Sequence, residues 1–391
     1  MVLIGLRLSL TVGLLSLALA QQCFPSRPWT FILNVEQSIS EVTQNCTTLV
    51  ENVNLELASN QGAEFGRITN VTGTVPLSNS SRQLTSIELP DLEYAGEIVL
   101  QGLPVLDRLS MPKLRVVGKL NVTLPSGSIA SFDLRAWESA QEISLRGDFP
   151  TDVTFPSLRE VNGRFTLGHE HTSWEEYDSG KPDVKSPVNY TFPLLEQVNG
   201  EFDIRRNFLG FSAPRLANIG NLIMKSLGEP LDLSFPALRA VGRFQLHNNF
   251  ARIETPVQLS AESLEFSIRC KQDGLTLYSP IEACDPITIQ GPVKSLRFPN
   301  LKTFRALIVD TDSPFSCQDF EKGLEVTAGD LDVVGSRGYR CRGGSIPLST
   351  GAKAGIGIAA AIGGIALIAL VVWWWRRETK KKKYRVPDAK S

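Results

Sequence analysis

The sequence predicts a mainly β protein: a parallel β-solenoid with rungs of about 22 residues, plus one C-terminal transmembrane α-helix. Two observations predict the solenoid. A phrase of Pro, any residue, Leu, two further residues and an apolar residue recurs, most copies continuing to Gly, and residues of alternating polarity follow each copy. A period of about 20 to 30 residues is typical of a solenoid whose repeats bury their apolar sides against each other. The prolines of the phrase are Pro90, Pro112, Pro156, Pro193, Pro214, Pro236 and Pro299.

The spacing of these prolines predicts the number of rungs. Successive gaps are 22, 44, 37, 21, 22 and 63 residues. A weaker copy with Arg135 at the proline position divides 44 into 23 and 21, and 63 equals three periods of 21. Only the gap of 37 then requires an insertion, from about residue 168 to 190. Residues 45 to 315 would hold about twelve rungs, a stack on the order of 55 to 60 Å long.

Each position of the phrase has an expected role. The leucine two residues after each proline and the apolar residue five after it are predicted to point inward. The glycine is predicted to allow positive φ or close backbone approach where the chain turns, and the proline to end a strand because it lacks a ladder amide. A period near 22 leaves no room for a ten-residue helix beside two strands. We therefore expect a flattened solenoid of strands and turns.

Two apolar segments predict a single-pass membrane protein. Residues 1–20 have one basic residue, an apolar run and a small-residue cleavage site, as in a removed signal peptide. Residues 354–375 lack charge over 22 residues and end in three tryptophans, as in a membrane-spanning helix. Between them, residues 21–344 are predicted to be an extracellular solenoid and 345–353 a short linker. Twelve residues separate Cys341 from Ala354, at most about 40 Å, so the solenoid would lie close to the membrane.

The tail 376–391 is strongly basic. Its eight basic and two acidic residues give +6, whereas the ectodomain, with 30 basic and 39 acidic residues, has −9. The positive-inside bias predicts type I topology in the plasma membrane, with the tail in the cytosol. The tail is expected either to bind anionic lipid or only to fix the topology. The anchor residues are Arg376, Arg377, Lys380, Lys381, Lys382 and Lys383.

Within the transmembrane segment, Gly355, Ala359 and Gly363 repeat at intervals of four residues, which would allow two helices to approach closely. A homodimer through this face is one hypothesis. Small residues are also common in membrane helices that do not pair.

Cysteines and glycosylation sequons support an oxidising, extracellular compartment. All six cysteines lie in the predicted ectodomain, consistent with three disulfides. Fifteen pairings are formally open. We favour Cys23 with Cys46, Cys270 with Cys284, and Cys317 with Cys341, because sequence neighbours stay spatial neighbours in a solenoid. Five sequons predict a glycoprotein, at Asn45, Asn70, Asn79, Asn121 and Asn189.

These residues carry a family resemblance. NCTTLVENVNLEL, from Asn45, and the Pro-x-Leu phrases after it resemble the receptor L-domain, a relative of leucine-rich repeats, and fungal cell-wall organisation glycoproteins in particular. The resemblance covers about residues 23 to 341 and implies a role in wall organisation. Those proteins usually have a lipid anchor and a Ser/Thr-rich stalk. This chain has a predicted transmembrane helix and no such stalk.

The sequence offers little evidence of catalysis, and we predict no enzyme activity, catalytic residue, cofactor, metal site or nucleic-acid partner. Such chemistry would require paired acids or a metal cluster in a groove. His169 and His171 flank Glu170 without further clustered ligands, and His247 is interpreted as a turn residue. The insertion offers a candidate ligand rim of Trp174, Glu175, Glu176 and Tyr177, the alternative being a solvated loop shielded by glycan on Asn189.

Three functional hypotheses follow. The first is a non-enzymatic cell-surface protein whose solenoid binds cell-wall glycan or a surface protein and supports wall organisation. The second is a receptor or sensor that signals through dimerisation and its short tail. The third, a wall-remodelling glycosidase or transglycosidase, would require activity on glucans.

Overall fold

The structure of the protein is a computed structural model, which describes most residues between 44 and 344. The chain divides into two compact units, 1–343 and 344–391. The described residues are 22–23, 30–33, 44–50, 52–55, 63–77, 84–129, 131–150, 152–168, 187–255, 265–270, 274–324, 338–344 and 370–374.

The described residues form mainly strands, and a short helix, α1, spans Cys317–Lys322. The strands of the first half are β1 Gln22–Cys23, β2 Thr30–Leu33, β3 Thr48–Leu49, β4 Asn52–Leu55, β5 Ala63–Glu64, β6 Asn70–Leu77, β7 Ser86–Glu88, β8 Tyr94–Gln101, β9 Arg108–Ser110, β10 Val116–Ser128, β11 Ser131–Asp133, β12 Ser139–Asp148, β13 Asp152–Thr154, β14 Glu160–Val161 and β15 Phe165–Gly168. Those of the second half are β16 Val188–Thr191, β17 Gln197–Arg205, β18 Phe208–Ser212, β19 Asn218–Ser234, β20 Ala240–Glu254, β21 Glu265–Cys270, β22 Leu275–Tyr278, β23 Ala283–Cys284, β24 Ile287–Gln290, β25 Val293–Arg297, β26 Thr303–Phe304, β27 Leu307–Pro314 and β28 Tyr339–Gly344.

The strands stack in parallel, one rung on the next, as expected for a flattened β-solenoid. The large sheet contains one strand or strand pair from each rung, and smaller sheets such as β5-β7-β9-β11 and β13-β16-β18 lie elsewhere on the rungs. The rungs between residues 48 and 314 start with β3, β6, β8, β10, β12, β14, β17, β19, β20, β21, β24 and β27. That agrees with the twelve rungs predicted from the spacing.

The register aligns equivalent residues of successive rungs. Val117 pairs with Ala95 on one side and with Ala140 on the other. The long gap of the repeat keeps this alignment, because Val161 pairs with Val198, 37 residues further on. The residues of the gap are therefore added between β15 and β16 without shifting the stack.

The Pro-x-Leu phrase is a β-turn. The Leu92 N–H donates to the Leu89 carbonyl at 3.3 Å, which places Pro90 at the second turn position. Proline is favoured there because its ring fixes the φ that the turn requires. The leucine that closes the turn is fully buried, as at Leu92 and Leu238. The structure adds a turn that the phrase did not predict, in which Leu106 N–H donates to the Leu103 carbonyl around Pro104.

Of the two roles predicted for the glycine of the phrase, positive φ and close backbone approach, the structure shows one. Gly96 and Gly118 lie inside strands β8 and β10, and neither has positive φ. Close approach is what requires them: a Cβ on Gly118 would lie 2.2 Å from the Gly96 carbonyl oxygen. The expected positive φ is therefore wrong at these positions, and the expected close backbone approach is confirmed.

The interior is filled by aliphatic side chains and a run of phenylalanines. Phe165 stacks on Phe202 with ring centroids 4.8 Å apart, and Phe244 stacks on Phe266 at 4.9 Å. Each pair joins neighbouring rungs, since Phe165 and Phe202 are also register partners. These stacks add to the hydrophobic burial that holds the rungs together.

Two predicted disulfides are confirmed and one is wrong. Cys23–Cys46 and Cys317–Cys341 are bonded, near the two ends of the stack. Cys270 and Cys284 are both buried thiols. Cys270 ends β21 beside Gly291 of the next rung, whereas Cys284 stands seven residues before Gly291, in β23 of another sheet. The two residues are close in sequence but lie at different points around the rung.

The predicted transmembrane segment lies mainly outside the described residues. Residues 370–374 are helical and exposed. Among the residues that the structure describes, no helix combines the length and the hydropathy needed to cross a membrane.

Candidate ligand-binding face

Several predicted site residues lie outside the described residues. They are the rim residues Trp174, Glu175, Glu176 and Tyr177, the histidines His169 and His171, the sequon Asn79, the helix-packing residues Gly355, Ala359 and Gly363, and the tail residues Arg376, Arg377 and Lys380 to Lys383.

The four described sequon asparagines lie at the surface. Asn45 is exposed, and Asn70, Asn121 and Asn189 are half-buried. Asn70 and Asn121 belong to β6 and β10, in the first half of the large sheet, whereas Asn189 belongs to the smaller sheet with β13 and β18. Asn189 Nδ2 donates to Asp152 Oδ1 at 3.2 Å. None of the described sequons thus lies in the later rungs of the large sheet.

The outer face of the large sheet carries two columns of side chains, which we call the middle column and the end column. Neighbouring members of each column are one strand spacing apart, about 4.8 Å. The middle column contains Val99, Asn121, Ser144, Thr166, Asp203, Ile223, Gln245, Ser267, Thr288 and Ile308. The end column contains Gln101, Thr123, Arg146, Gly168, Arg205, Lys225, His247, Arg269, Gln290 and Asp310.

Two consecutive rungs of this face are covered. Asp203 and Ile223 each expose 6% of their surface, and Lys225 exposes 1%. We call Asp203, Arg205, Ile223 and Lys225 the covered patch. Arg205 binds Asp203 through two hydrogen bonds, of 2.8 and 2.7 Å. Burial nevertheless raises the pKa of Asp203, because desolvation of the carboxylate outweighs the hydrogen bonds from Arg205.

The rungs β20, β21 and β24 present an accessible polar surface, which we call the open face. Arg243 Nε and Gln245 Nε2 donate to the two carboxylate oxygens of Glu265, at 2.7 and 3.0 Å. One rung later, Arg269 Nε donates to Gln290 Oε1 at 3.0 Å. The side chains are therefore held in place between rungs, while each keeps further donors and acceptors for a ligand.

A second polar cluster lies inside the solenoid, at the corner after β17. Arg206 is fully buried, donates from Nη1 to the Gly147 carbonyl and donates its backbone N–H to the Lys225 carbonyl at 3.0 Å. Tyr190 is buried nearby, and burial raises its pKa to about 12. No sequence pattern predicts this cluster, because the burial of Arg206 depends on its position between β17 and β18. Its closed position favours a structural role.

Exposed ion pairs join neighbouring rungs elsewhere. Lys113 Nζ lies 2.7 Å from Asp91 Oδ1, and that hydrogen bond lowers the pKa of Asp91. Arg115 binds Glu138 through hydrogen bonds of 3.1 and 3.2 Å. Pairs this exposed add little to the stability of the fold, because water and salt screen the attraction between the charges. They favour the correct register more than they add stability.

The acids and the one histidine among the described residues are spread along the solenoid. Within the described ranges, no group of three His, Cys, Asp or Glu side chains is arranged to hold a metal. His247, predicted as a turn residue, instead lies inside β20, between Lys225 and Arg269 in the end column. The polar groups of the open face are suited to hydrogen bonding along an extended ligand.

Comparison with known proteins gave no match: no protein-family model, no curated protein and no solved structure is significantly similar to this chain.

Proposed function

We propose that this protein is a non-enzymatic cell-surface glycoprotein whose solenoid binds cell-wall glycan through the open face and so supports wall organisation. The observation that carries the proposal is the open face itself. It offers guanidinium, amide and hydroxyl groups from Arg243, Gln245, Ser267, Arg269 and Gln290, repeated at the strand spacing. A regular, flat and polar surface suits a chain of repeating sugars, whose hydroxyls both donate and accept hydrogen bonds.

The placement of sequons and disulfides supports the same proposal. Glycans on Asn70 and Asn121 would crowd the first rungs of the large sheet and leave the open face accessible. The two disulfides fit an oxidising, extracellular compartment. The wall role comes from the resemblance to fungal wall-organisation glycoproteins, and the membrane anchor from the uncharged segment 354–375. In this proposal the basic tail contacts anionic lipid on the cytosolic side.

The test is a glycan array probed with the full-length glycosylated protein in detergent. The array contains wall β-glucans, chitin oligomers and mannans. The double variant Arg269→Ala/Gln290→Ala removes one rung-to-rung contact from the open face. We expect it to bind the preferred glycan at least tenfold more weakly than the unmodified protein.

A matched control removes an equivalent contact elsewhere. Lys302 Nζ lies 3.2 Å from Glu282 Oε1, next to the small sheet of β23 and β26. The variant Glu282→Ala/Lys302→Ala should bind as the unmodified protein does. Equal losses in both variants would contradict the open face as the site, and absence of glycan binding by folded, disulfide-intact protein would favour a protein partner instead.

A further inference from the structure

A third column of side chains lies where the strands of the large sheet begin, and we call it the start column. Its first members directly precede the buried residues Val71, Ala95 and Val117, so they point away from the interior. The column contains Asn70, Tyr94, Val116, Ser139, Glu160, Gln197, Asn218 and Ala240. The sequon asparagine Asn70 therefore lies one strand spacing, about 4.8 Å, from Tyr94.

Two apolar side chains of the start column are exposed next to each other. Tyr94 exposes 40% of its surface and Val116 exposes 39%, and the two residues are register partners. Two residues later in each strand, Gly96 and Gly118 are half-exposed and contribute no side chain. We call these four residues the apolar patch. An aromatic ring beside bare backbone offers a flat surface on which the C–H face of a sugar ring can pack.

Asn70 is placed to cover this patch with a glycan. The buried atom of its amide group is Oδ1, whereas an N-linked glycan is attached to the other atom, Nδ2. On the side away from Tyr94, the register partner of Asn70 is Thr48, which exposes only 7% of its surface. The accessible neighbour of Asn70 in the start column is therefore Tyr94.

The sequon at Asn121 offers a matched comparison. Asn121 lies in β10 of the same sheet, but its register partners are Val99 and Ser144. Both partners are half-exposed and neither has an aromatic ring. A glycan on Asn121 would thus lie on the same sheet without an aromatic side chain beside it.

We propose that an N-linked glycan on Asn70 lies along the start column, with its first N-acetylglucosamine packed on the Tyr94 ring and its second sugar over Val116. This inference rests on one part of the proposed function, that the protein is glycosylated. The glycan is then a fixed part of the surface of the first rungs, and it covers an apolar patch that would otherwise face water. The packing does not depend on which ligand the open face binds.

The test is nitration of individual tyrosines in the full-length glycosylated protein, followed by mass spectrometry. Tyr278 is the reference, because it is also 40% exposed and its register partners are Glu254 and Arg297. Tyr94 should react about fivefold more slowly than Tyr278, because the packed sugar removes its ring from water. Removal of the whole glycan, by Asn70→Gln or enzymatically from the folded protein, should abolish this difference. An endoglycosidase that leaves the first N-acetylglucosamine should preserve most of the protection.

Two controls make the result specific. Asn121→Gln removes a glycan from the same sheet and should leave the rate of Tyr94 unchanged. Tyr190, which exposes 1% of its surface, should stay unreactive in every sample and so verify folding. An Asn70 peptide without a glycan, or a Tyr94 that reacts as fast with the glycan as without it, would overturn the proposal. Failure of the proposed wall binding would be seen on the glycan array and not at Tyr94.

Discussion

At the scale of the residue, the rungs can stack only because certain positions are glycines, which have no Cβ atom. A Cβ on Gly118 would meet the carbonyl oxygen of Gly96 at 2.2 Å, and a Cβ on Gly96 would meet that of Thr72 at 2.3 Å. The obstructing atoms belong to the backbone of the preceding rung, which also forms the ladder hydrogen bonds. The backbone cannot move aside without weakening the sheet, so these positions restrict the sequence as strictly as the buried leucines do.

Replacement of Gly118 by alanine should therefore destabilise the protein. We expect Gly118→Ala to cost about 2 to 3 kcal/mol, as overpacking of a rigid site does, and to lower the thermal unfolding midpoint by several degrees. Gly66→Ala is the control, since a Cβ there meets no atom within 4 Å; its midpoint should stay within about 1 °C of the unmodified protein's. Equal midpoints for the two variants would contradict this prediction, because they would show that the backbone near Gly118 can move to accommodate a Cβ atom.

Individual residues also show where sequence reasoning reached its limit. The pairing of Cys270 with Cys284 was inferred from their proximity along the chain, but 14 residues are about two thirds of a rung and lead to another sheet. Burial of Lys225 carried no local signal, because its neighbours in the strand alternate as in any other rung. The local sequence pattern predicts in which column a residue lies. It does not predict whether an outward-facing side chain of that column is buried.

At the scale of the element, the turn and the strand after it act as one unit. Proline fixes the turn, the leucine that closes it fills the interior, and the strand then joins the large sheet. The sequence predicted this unit well because turn, spacing and alternation all indicate the same structure. It missed the turn at Pro104, whose short following strand, β9, has only three residues and no glycine.

The buried leucine should dominate the stability of each turn. Leu238 is fully buried and closes the turn that starts at Phe235. Leu238→Ala should cost about 2 to 5 kcal/mol through lost burial and the cavity left behind, measured by urea unfolding. The control is Leu209→Ala, because Leu209 is 56% exposed; we expect a change within about 0.5 kcal/mol. A similar cost at both positions would contradict this assignment of the turn.

At the scale of the whole molecule, each rung is stabilised by the two rungs next to it. The first and last rungs of the stack each lack one of these neighbours. An open solenoid exposes strand edges, and terminal repeats must cap them. Cys23–Cys46 and Cys317–Cys341 lie near the two ends, and each closes a loop of about one period, with separations of 23 and 24 residues. The phrase predicted the number of rungs and the position of the insertion, because both follow from the spacing of the repeat.

Loss of the C-terminal disulfide should loosen the stack from that end. The paired variant Cys317→Ser/Cys341→Ser should lose about 3 to 4 kcal/mol, the entropy of closing a loop of this length. Hydrogen exchange should accelerate most in β27, less in β24 and not measurably in β10. Uniform acceleration along the stack would instead indicate that the solenoid unfolds as a single cooperative unit.

The register of the stack also determines by what steps the length of such a solenoid can change. Most rungs repeat the same turn and all the rungs from β8 to β27 contribute to the same two columns, so a rung of this kind could be added or removed whole while the remaining neighbours keep their register. Length therefore changes in steps of about 22 residues and about 4.8 Å, the height of one strand. If a polymer binds along the columns, as we propose, each added rung would extend its contact with the protein by one such step.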